Sequence, residues 1–544
     1  MVKPPQPPIV IVNFKTDGPA SHEKFDPSKA KSHAARVGFQ RRSALKSTES
    51  GGPHARKQNQ CQCNGRQSCN FCRAKLADYQ NKMLAFHGRR DPFNSSVGHD
   101  ASPMCHSALE YAIETGFASL FAPLRPTKAS SLITSWKGSA VQVPILFHAE
   151  VVASVGWVLL MIGGQNLPVE PLLHRLQMEQ RQLALETLRK ELEAPTFEPT
   201  DAHVHAIAFL AFQSGGPMPC DEPYPPSPMG LLQQVYAFSR FEATLPHVTA
   251  LYNFVSARGG IDKIQLHALA DVLEVVDIVI STRTQNPCRF PLIRTKSKLE
   301  EKREESVLDS YTGTRRIGGH ELLSIKKINL TIYRLLVQMS QVTGILDRFD
   351  EDPSRTELSG VLIMRRNEIQ HGLLGYPTAQ YSEYMFMLDE DSLDMPPDVM
   401  ALTEMIRLAA SIYSDLVLFP QPWITGIKLQ LAQRLRMVAE KSGMYDNIKH
   451  SVPDYPKIHV WILWFGCFAA FRTEHQAWFE DKLRWFVNMY YGMAIEKAEN
   501  VRFKRVKEGL RGFLWWSPVC DPAGQALWTR LTQISDDDDT DPDT

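Results

Sequence analysis

The chain has 544 residues, with 60 lysines and arginines against 60 aspartates and glutamates, so its formal net charge is zero. Hydrophobic residues make up 43% of it, which is enough for a globular core and excludes a wholly disordered acidic chain. The neutral total also argues against a protein that is basic along its whole length.

The first ninety residues are rich in positive charge. Between Lys29 and Arg90 there are fourteen lysines and arginines against two acidic residues, and few large aliphatic side chains. Such a composition buries too little apolar surface to offset the entropy of ordering the chain. Residues 1–90 are therefore predicted to form a mostly disordered basic arm with one short helix.

Clustered cations in this arm suit contact with the phosphates of DNA, and a solubilising tail is the alternative interpretation. The side chains that we assign to DNA contact are Lys29, Lys31, His33, Arg36, Arg41 and Arg42.

Four cysteines lie close together in the same arm, as Cys61, Cys63, Cys69 and Cys72. Four thiolates can complete a tetrahedral zinc site, and Cys-x-x-Cys is a common half of one. The other half, Cys-x-Cys, has a tight spacing. Two interpretations stay open, a single zinc site and four unbound thiols, and zinc is the one cofactor that the sequence suggests.

From about residue 91 to residue 532 apolar residues recur at helical spacing, which predicts an all-α fold with one large irregular multi-helix domain. The predicted helices are Val169–Glu193, Ala202–Phe212, Leu231–Phe238, His247–Arg258, Ile264–Ile280, Glu321–Arg348, Ser359–Leu374, Pro397–Leu418, Lys428–Ser442, Val460–Phe471, Gln476–Glu499 and Arg502–Leu514. Gly259 and Gly260 are expected to end one of them, because glycine adopts the left-handed conformation without a side-chain clash. Residues 533–544 are predicted to be a short acidic tail.

Two stretches are almost wholly apolar, Val151–Ile162 and Trp461–Phe471. Both are shorter than the roughly 20 residues that cross a bilayer. We therefore predict that they form buried core helices, and we expect no membrane partner.

The segment Asp201-Ala-His203-Val-His205 has the Asp-x-His-x-His pattern of metal-dependent amidohydrolases. Here the pattern opens an apolar helix, on which residues two apart point about 200° apart. The two imidazoles are therefore expected not to share a metal, and Thr200 or Asp201 is predicted to cap the helix. The sequence carries no nucleophile elbow and no phosphate loop, so we predict that the chain is not an enzyme.

Seven short motifs, in this order, resemble the second helical group of the fungal-specific transcription factor domain proteins. They are IVNF (Ile11–Phe14), KSHAARVGFQRR (Lys31–Arg42), DPF (Asp91–Phe93), HVTALYNFVSARGGIDKI (His247–Ile264), NEIQHGLL (Asn367–Leu374), WILWFGCFAA (Trp461–Ala470) and GFLWWSPVCDPAGQALW (Gly512–Trp528). Within the last motif, three tryptophans are predicted to be apolar anchors and Asp521 a helix cap.

The segment SCNFCRAKLADY also resembles the opening of that family's six-cysteine zinc cluster, but Tyr79 stands where the third cysteine belongs. The chain is thus similar to a variant of the family that lacks an intact cluster.

This resemblance implies a nuclear regulator of transcription whose helical domain contacts other transcriptional regulators or a small effector, with DNA contact through residues 1–90. The alternative is a helical interaction module that scaffolds or titrates other regulators without touching DNA. A metal-dependent hydrolase is the third hypothesis. A second copy of the chain, in a homodimer, is a further candidate partner.

Overall fold

The structure is a computed structural model that describes residues 101–117, 129–162, 170–212, 218, 222–293, 319–353, 355–376, 396–446, 455–491 and 499–533. These residues form helices and the short connections between them, and no β-strand occurs among them. The predicted all-α fold is confirmed. The predicted basic arm, residues 1–90, lies outside the described residues, as does the predicted acidic tail apart from Gln533, which ends the last helix.

Seventeen α-helices lie in the described residues. They are α1 (Pro103–Tyr111), α2 (Ala129–Ala140), α3 (Pro144–Ile162), α4 (Glu170–Leu192), α5 (Asp201–Phe212), α6 (Val235–Phe238), α7 (Leu245–Ala257), α8 (Leu269–Thr284), α9 (Leu322–Lys326), α10 (Leu330–Glu351), α11 (Thr356–Gly375), α12 (Pro397–Tyr413), α13 (Ile427–Lys441), α14 (Pro456–Ala469), α15 (Gln476–Tyr491), α16 (Glu499–Leu510) and α17 (Ser517–Gln533).

Two of the predicted helices are broken. The predicted helix Leu231–Phe238 is a 3-10 turn followed by the short α6, because Gln233 and Gln234 both adopt a left-handed φ of 53°. The predicted helix Glu321–Arg348 splits into α9 and α10 at Asn329, whose side-chain oxygen accepts a hydrogen bond from the backbone N–H of Ile332 at 3.0 Å. An asparagine at this position favours a helix start over a helix interior.

The N-terminal core is built around α3, which packs against α1, α4 and α5. Its length and composition alone would allow it to cross a membrane, and 83% of its apolar window, Pro144–Met161, is buried inside the protein. The residues Val151–Leu160 are buried, so this stretch forms a core helix, as predicted, although Met161 near its end is exposed.

The C-terminal core surrounds α14, in which every residue from Ile458 to Ala469 is buried. The other predicted core stretch is thereby confirmed as well. Three tryptophans predicted to be anchors, Trp515, Trp516 and Trp528, are buried against this core.

Asp521 does not cap a helix. It lies in the second turn of α17, and its carboxylate accepts hydrogen bonds from the indole N–H of Trp515 at 2.7 Å and from Nζ of Lys507 at 2.5 Å. The prediction of a cap at this residue was wrong, because α17 begins four residues earlier at Ser517 with Pro518 in its first turn.

Residues 222–234, which we call the crossing segment, belong to the N-terminal half of the chain but are built into the C-terminal core. Met229 and Leu232 are buried among the side chains of α10–α17. The hydroxyl of Ser227 donates to the carbonyl of Val417 at 2.7 Å, and that of Tyr224 donates to the carbonyl of Phe468 at 3.1 Å. The crossing segment therefore fastens the two halves of the described chain together.

The turn after α7 fixes the start of α5. Gly259 and Gly260 have φ values of 90° and 107°, and the N–H of Gly260 donates back to the carbonyl of Val255 at 3.0 Å, which confirms the predicted glycine stop. The carboxylate of Asp201 accepts from Nε of Arg258 at 3.1 Å and from the backbone N–H of Leu266 at 2.8 Å. These bonds set the orientation of α5, on which the candidate site depends.

Candidate functional site

The site residues predicted from sequence all lie outside the described residues. This is true of the basic side chains Lys29, Lys31, His33, Arg36, Arg41 and Arg42, and of the cysteines Cys61, Cys63, Cys69 and Cys72. Their assignments to DNA contact and to zinc stay predictions.

The Asp-x-His-x-His segment does not form a metal site. The Nδ1 atom of His203 lies 2.7 Å from the hydroxyl oxygen of Thr200, and its Nε2 atom lies 2.6 Å from a carboxylate oxygen of Glu191. His205 points into a different, apolar environment, as the helical spacing predicted. Within the described ranges, no three His, Cys, Asp or Glu side chains come close enough together to hold a metal ion.

A cavity of about 60 Å³ lies between α5 and α8, and we call it the α5–α8 cavity. One wall is a row of valines on α8, at positions 272, 275, 276 and 279, whose spacing places them on a single helical face. The opposite wall includes His205 and Phe209 of α5, and Trp136 of α2 and Phe238 of α6 complete it. The lining is apolar apart from His205, Gln233 and Asp271.

His205 is the most unusual residue of this cavity. Its side chain is 1% exposed, and neither ring nitrogen has a hydrogen-bond partner. The imidazole is held between the rings of Trp136 and Phe209, with centroid separations of 4.2 Å and 4.5 Å. Burial lowers the pKa of His205 to about 3, so at neutral pH the ring carries one N–H donor and one bare acceptor nitrogen.

Leaving buried polar atoms unpaired costs about 1–3 kcal/mol each, so a molecule that hydrogen-bonds to the two ring nitrogens of His205 would remove that cost. The ring also has no hydrogen bond to an acid or a nucleophile. The α5–α8 cavity is therefore equipped for binding a molecule rather than for acid–base catalysis.

Gln233 connects this cavity to the C-terminal core. Its backbone is left-handed, and its side-chain Oε1 accepts a hydrogen bond from Nη2 of Arg366, on α11, at 2.7 Å. Arg366 is fully buried and also donates to the carbonyls of Met229 at 3.2 Å and Leu232 at 3.0 Å. Burial lowers the pKa of Arg366 to about 9, which still leaves it charged at neutral pH.

His205 stands out in the sequence only as part of a metal-binding pattern that its helical spacing argues against, and neither Gln233 nor Arg366 was predicted to belong to a site. A signal for Arg366 was available, since it interrupts an apolar helical face in the segment VLIMRRNEI. An arginine on such a face needs buried acceptors, and the crossing segment supplies them.

A second, polar cavity of about 70 Å³ lies beside the last helix, where Asp347, Arg511 and Trp516 are among its lining residues. The indole N–H of Trp516 donates to Oδ1 of Asp347 at 2.8 Å. Trp516 and Asp347 thus pair with each other, and none of the described residues lining this cavity has a buried unpaired side-chain atom comparable to those of His205.

No protein-family model, curated protein or solved structure matches the chain. The family resemblance carried by the sequence motifs therefore stays a prediction.

Proposed function

We propose that the chain is a nuclear transcription regulator whose helical body binds a small effector in the α5–α8 cavity. The observation that carries the effector part is the buried, unpaired imidazole of His205 in an apolar cavity. The transcriptional part is supported by the motif resemblance and by the cations concentrated in residues 29–90.

The contacts of Gln233 suggest how a bound effector acts on the rest of the chain. Gln233 lines the cavity and is held by Arg366 of the C-terminal half. An effector that favours one arrangement of the crossing segment shifts the population of that arrangement, since binding changes an equilibrium only through a difference in affinity. The change would then reach the C-terminal core through the bond between Gln233 and Arg366.

Chromatin occupancy of the full chain tests the transcriptional part. Occupancy is compared with that of a variant in which Lys29, Lys31, Arg36, Arg41 and Arg42 are all changed to alanine. We expect occupancy to fall in the variant, because each phosphate contact contributes to affinity. In gel-shift titrations with salt, the variant should also show a shallower dependence of affinity on salt concentration.

The opposite result selects the interaction module. A chain that co-purifies with other regulators, yet shows no chromatin occupancy and no gel shift at low salt, scaffolds or titrates those regulators without touching DNA.

A further inference from the structure

We infer that the α5–α8 cavity takes the hydroxyl-bearing end of a neutral apolar chain, and that it excludes the corresponding carboxylate. This inference rests on the proposed function, because it names the chemical class of the effector. It depends on three features of the cavity, namely its size, the position of its rim and the hydrogen-bonding capacity of His205.

The size of the cavity limits the shape of the ligand. A dry apolar cavity of roughly 150 Å³ holds a whole benzene ring. The α5–α8 cavity, at about 60 Å³, is too small for a ring in its present state and holds the end of a linear chain instead. The valine row of α8 supplies an apolar wall against which methylene groups can pack.

The rim of the cavity sets the direction of entry. Asp271, Val272 and Val276 are half-buried and lie at the open side, whereas His205 is buried. A ligand that enters past the rim therefore reaches His205 with its leading end and leaves its tail between Phe238 and the half-buried valines. The polar group of the ligand must lie at that leading end.

The imidazole determines which polar group fits. At neutral pH the His205 ring offers one donor and one acceptor, both unpaired, and a hydroxyl group is able both to accept and to donate. A carboxylate only accepts, and burying its charge costs several kcal/mol without a partner of opposite charge. The described lining residues include no lysine or arginine, and their one acidic residue, Asp271, has the wrong charge to pair with a carboxylate.

Calorimetric titration of the full chain at pH 7.5 with 1-hexanol and with hexanoate tests the inference. We expect 1-hexanol to bind at least tenfold more tightly than hexanoate. His205→Phe keeps the cavity apolar but removes both ring nitrogens, so hexanol affinity should fall about tenfold.

Two further variants keep the test decisive. His203→Phe lies on the same helix but outside the cavity, and we expect it to leave hexanol affinity unchanged. Val276→Phe places a larger side chain at the rim of the cavity and should abolish hexanol binding. This variant tests whether hexanol binds in the α5–α8 cavity even if His205→Phe fails to fold.

Hexanoate that binds as tightly as hexanol overturns the ligand class alone, since the cavity would still bind an effector as the proposed function requires. Hexanol binding that neither His205→Phe nor Val276→Phe reduces overturns the site, as does the absence of any hexanol binding. Failure of the transcriptional role is read separately, from chromatin occupancy.

Discussion

Arg366 donates a hydrogen bond from Nη2 to Oε1 of Gln233 at 2.7 Å, between residues 133 positions apart in the sequence. The same guanidinium donates hydrogen bonds to the carbonyls of Met229 and Leu232. One buried side chain therefore satisfies backbone acceptors of the turn in which Gln233 and Gln234 adopt the left-handed conformation. This relationship joins the wall of the α5–α8 cavity to the C-terminal core.

Replacing Arg366 should therefore be severe. Arg366→Met removes the donor from four buried acceptors, which are the carbonyls of Met229 and Leu232 and the side-chain oxygens of Gln233 and Asn367, and we expect the free energy of unfolding to fall by about 3 kcal/mol or more. Urea denaturation of the full chain measures the loss. The neighbouring Arg365 is part-exposed and pairs with Glu368, so Arg365→Met is the matched control and should cost less than about 1 kcal/mol. Equal losses in the two variants would show that Arg366 is no more important than its neighbour.

Gly466 tests the packing of the C-terminal core. A Cβ atom at this position would overlap Cε1 of the Phe479 ring, so Gly466→Ala should destabilise the chain by about 1–3 kcal/mol. Gly138, in α2, has open space around it, and Gly138→Ala should raise stability by up to about 1 kcal/mol because alanine favours helix. Thermal unfolding of both variants checks the sign. Combining Gly466→Ala with Phe479→Leu should recover part of the loss.

Replacing Asp201 should also lower the free energy of unfolding. Its carboxylate accepts from Arg258 and from two backbone N–H groups, those of Gln265 and Leu266. Asp201→Ala removes all three bonds and is expected to cost about 2 kcal/mol, because backbone donors are left unpaired. Asp262 is exposed and its nearest cation, Nζ of Lys263, is 3.9 Å away, so Asp262→Ala should be nearly neutral in the same urea titration.

His205 makes stability depend on pH. Burial lowers its pKa to about 3, whereas the unfolded chain has an ordinary value near 6.5, so between these values the unfolded state binds the extra proton. The contribution of a neutral His205 to the free energy of unfolding is therefore fully present above pH 6.5 and decreases as the pH falls. Between pH 6.5 and pH 5 the decrease is about 2 kcal/mol.

The difference in stability between wild type and His205→Phe, measured by urea denaturation at pH 7 and at pH 5, isolates this effect. The buried carboxyl of Glu150, whose pKa burial raises, contributes with the opposite sign and cancels in that difference. A difference that stays constant from pH 7 to pH 5 would contradict the assignment of a neutral, buried His205.

The cysteine group of the N-terminal segment is tested by metal analysis of the purified full chain. Cys-x-Cys is a tight half-site, and we expect free thiols and no stoichiometric zinc. One zinc per chain that is lost on Cys61→Ser and Cys72→Ser would establish the single-zinc alternative. A metal that is lost instead on changing His203 and His205 would revive the hydrolase hypothesis.

Periodicity alone recovered much of the helical architecture. Segments such as α4, α7 and α13 have apolar residues at regular helical spacing, and their observed ends lie within two residues of those predicted. The last helix was misplaced at its start, since α17 begins at Ser517, four residues before the predicted cap at Asp521. Pro518 lies in its first turn, where a missing N–H breaks no helical hydrogen bond, whereas Pro522 lies inside the helix.

The site was harder to foresee than the helices. His205 was recognisable as an unusual residue in an apolar helix, but its isolation depends on Trp136, which lies 69 residues earlier and belongs to a helix that the sequence pattern did not predict. The pairing of Gln233 with Arg366 depends on left-handed backbone at glutamine, for which no sequence rule exists. Such contacts depend on tertiary packing, which local secondary-structure propensity does not predict.

The crossing segment determines how this protein can be dissected. If the chain is cut at one peptide bond between Ile293 and Gly319, we expect the two fragments to stay associated and to elute together in size-exclusion chromatography. Met229, Leu232 and Ser227 of the first fragment remain in contact with the core of the second. Expressed alone, the fragment from residue 319 onward would expose the apolar core surface against which Met229 packs, and we expect it to aggregate. Deletion mapping that divides the chain there would report a loss of folding, whereas co-expression of both fragments should restore a working protein.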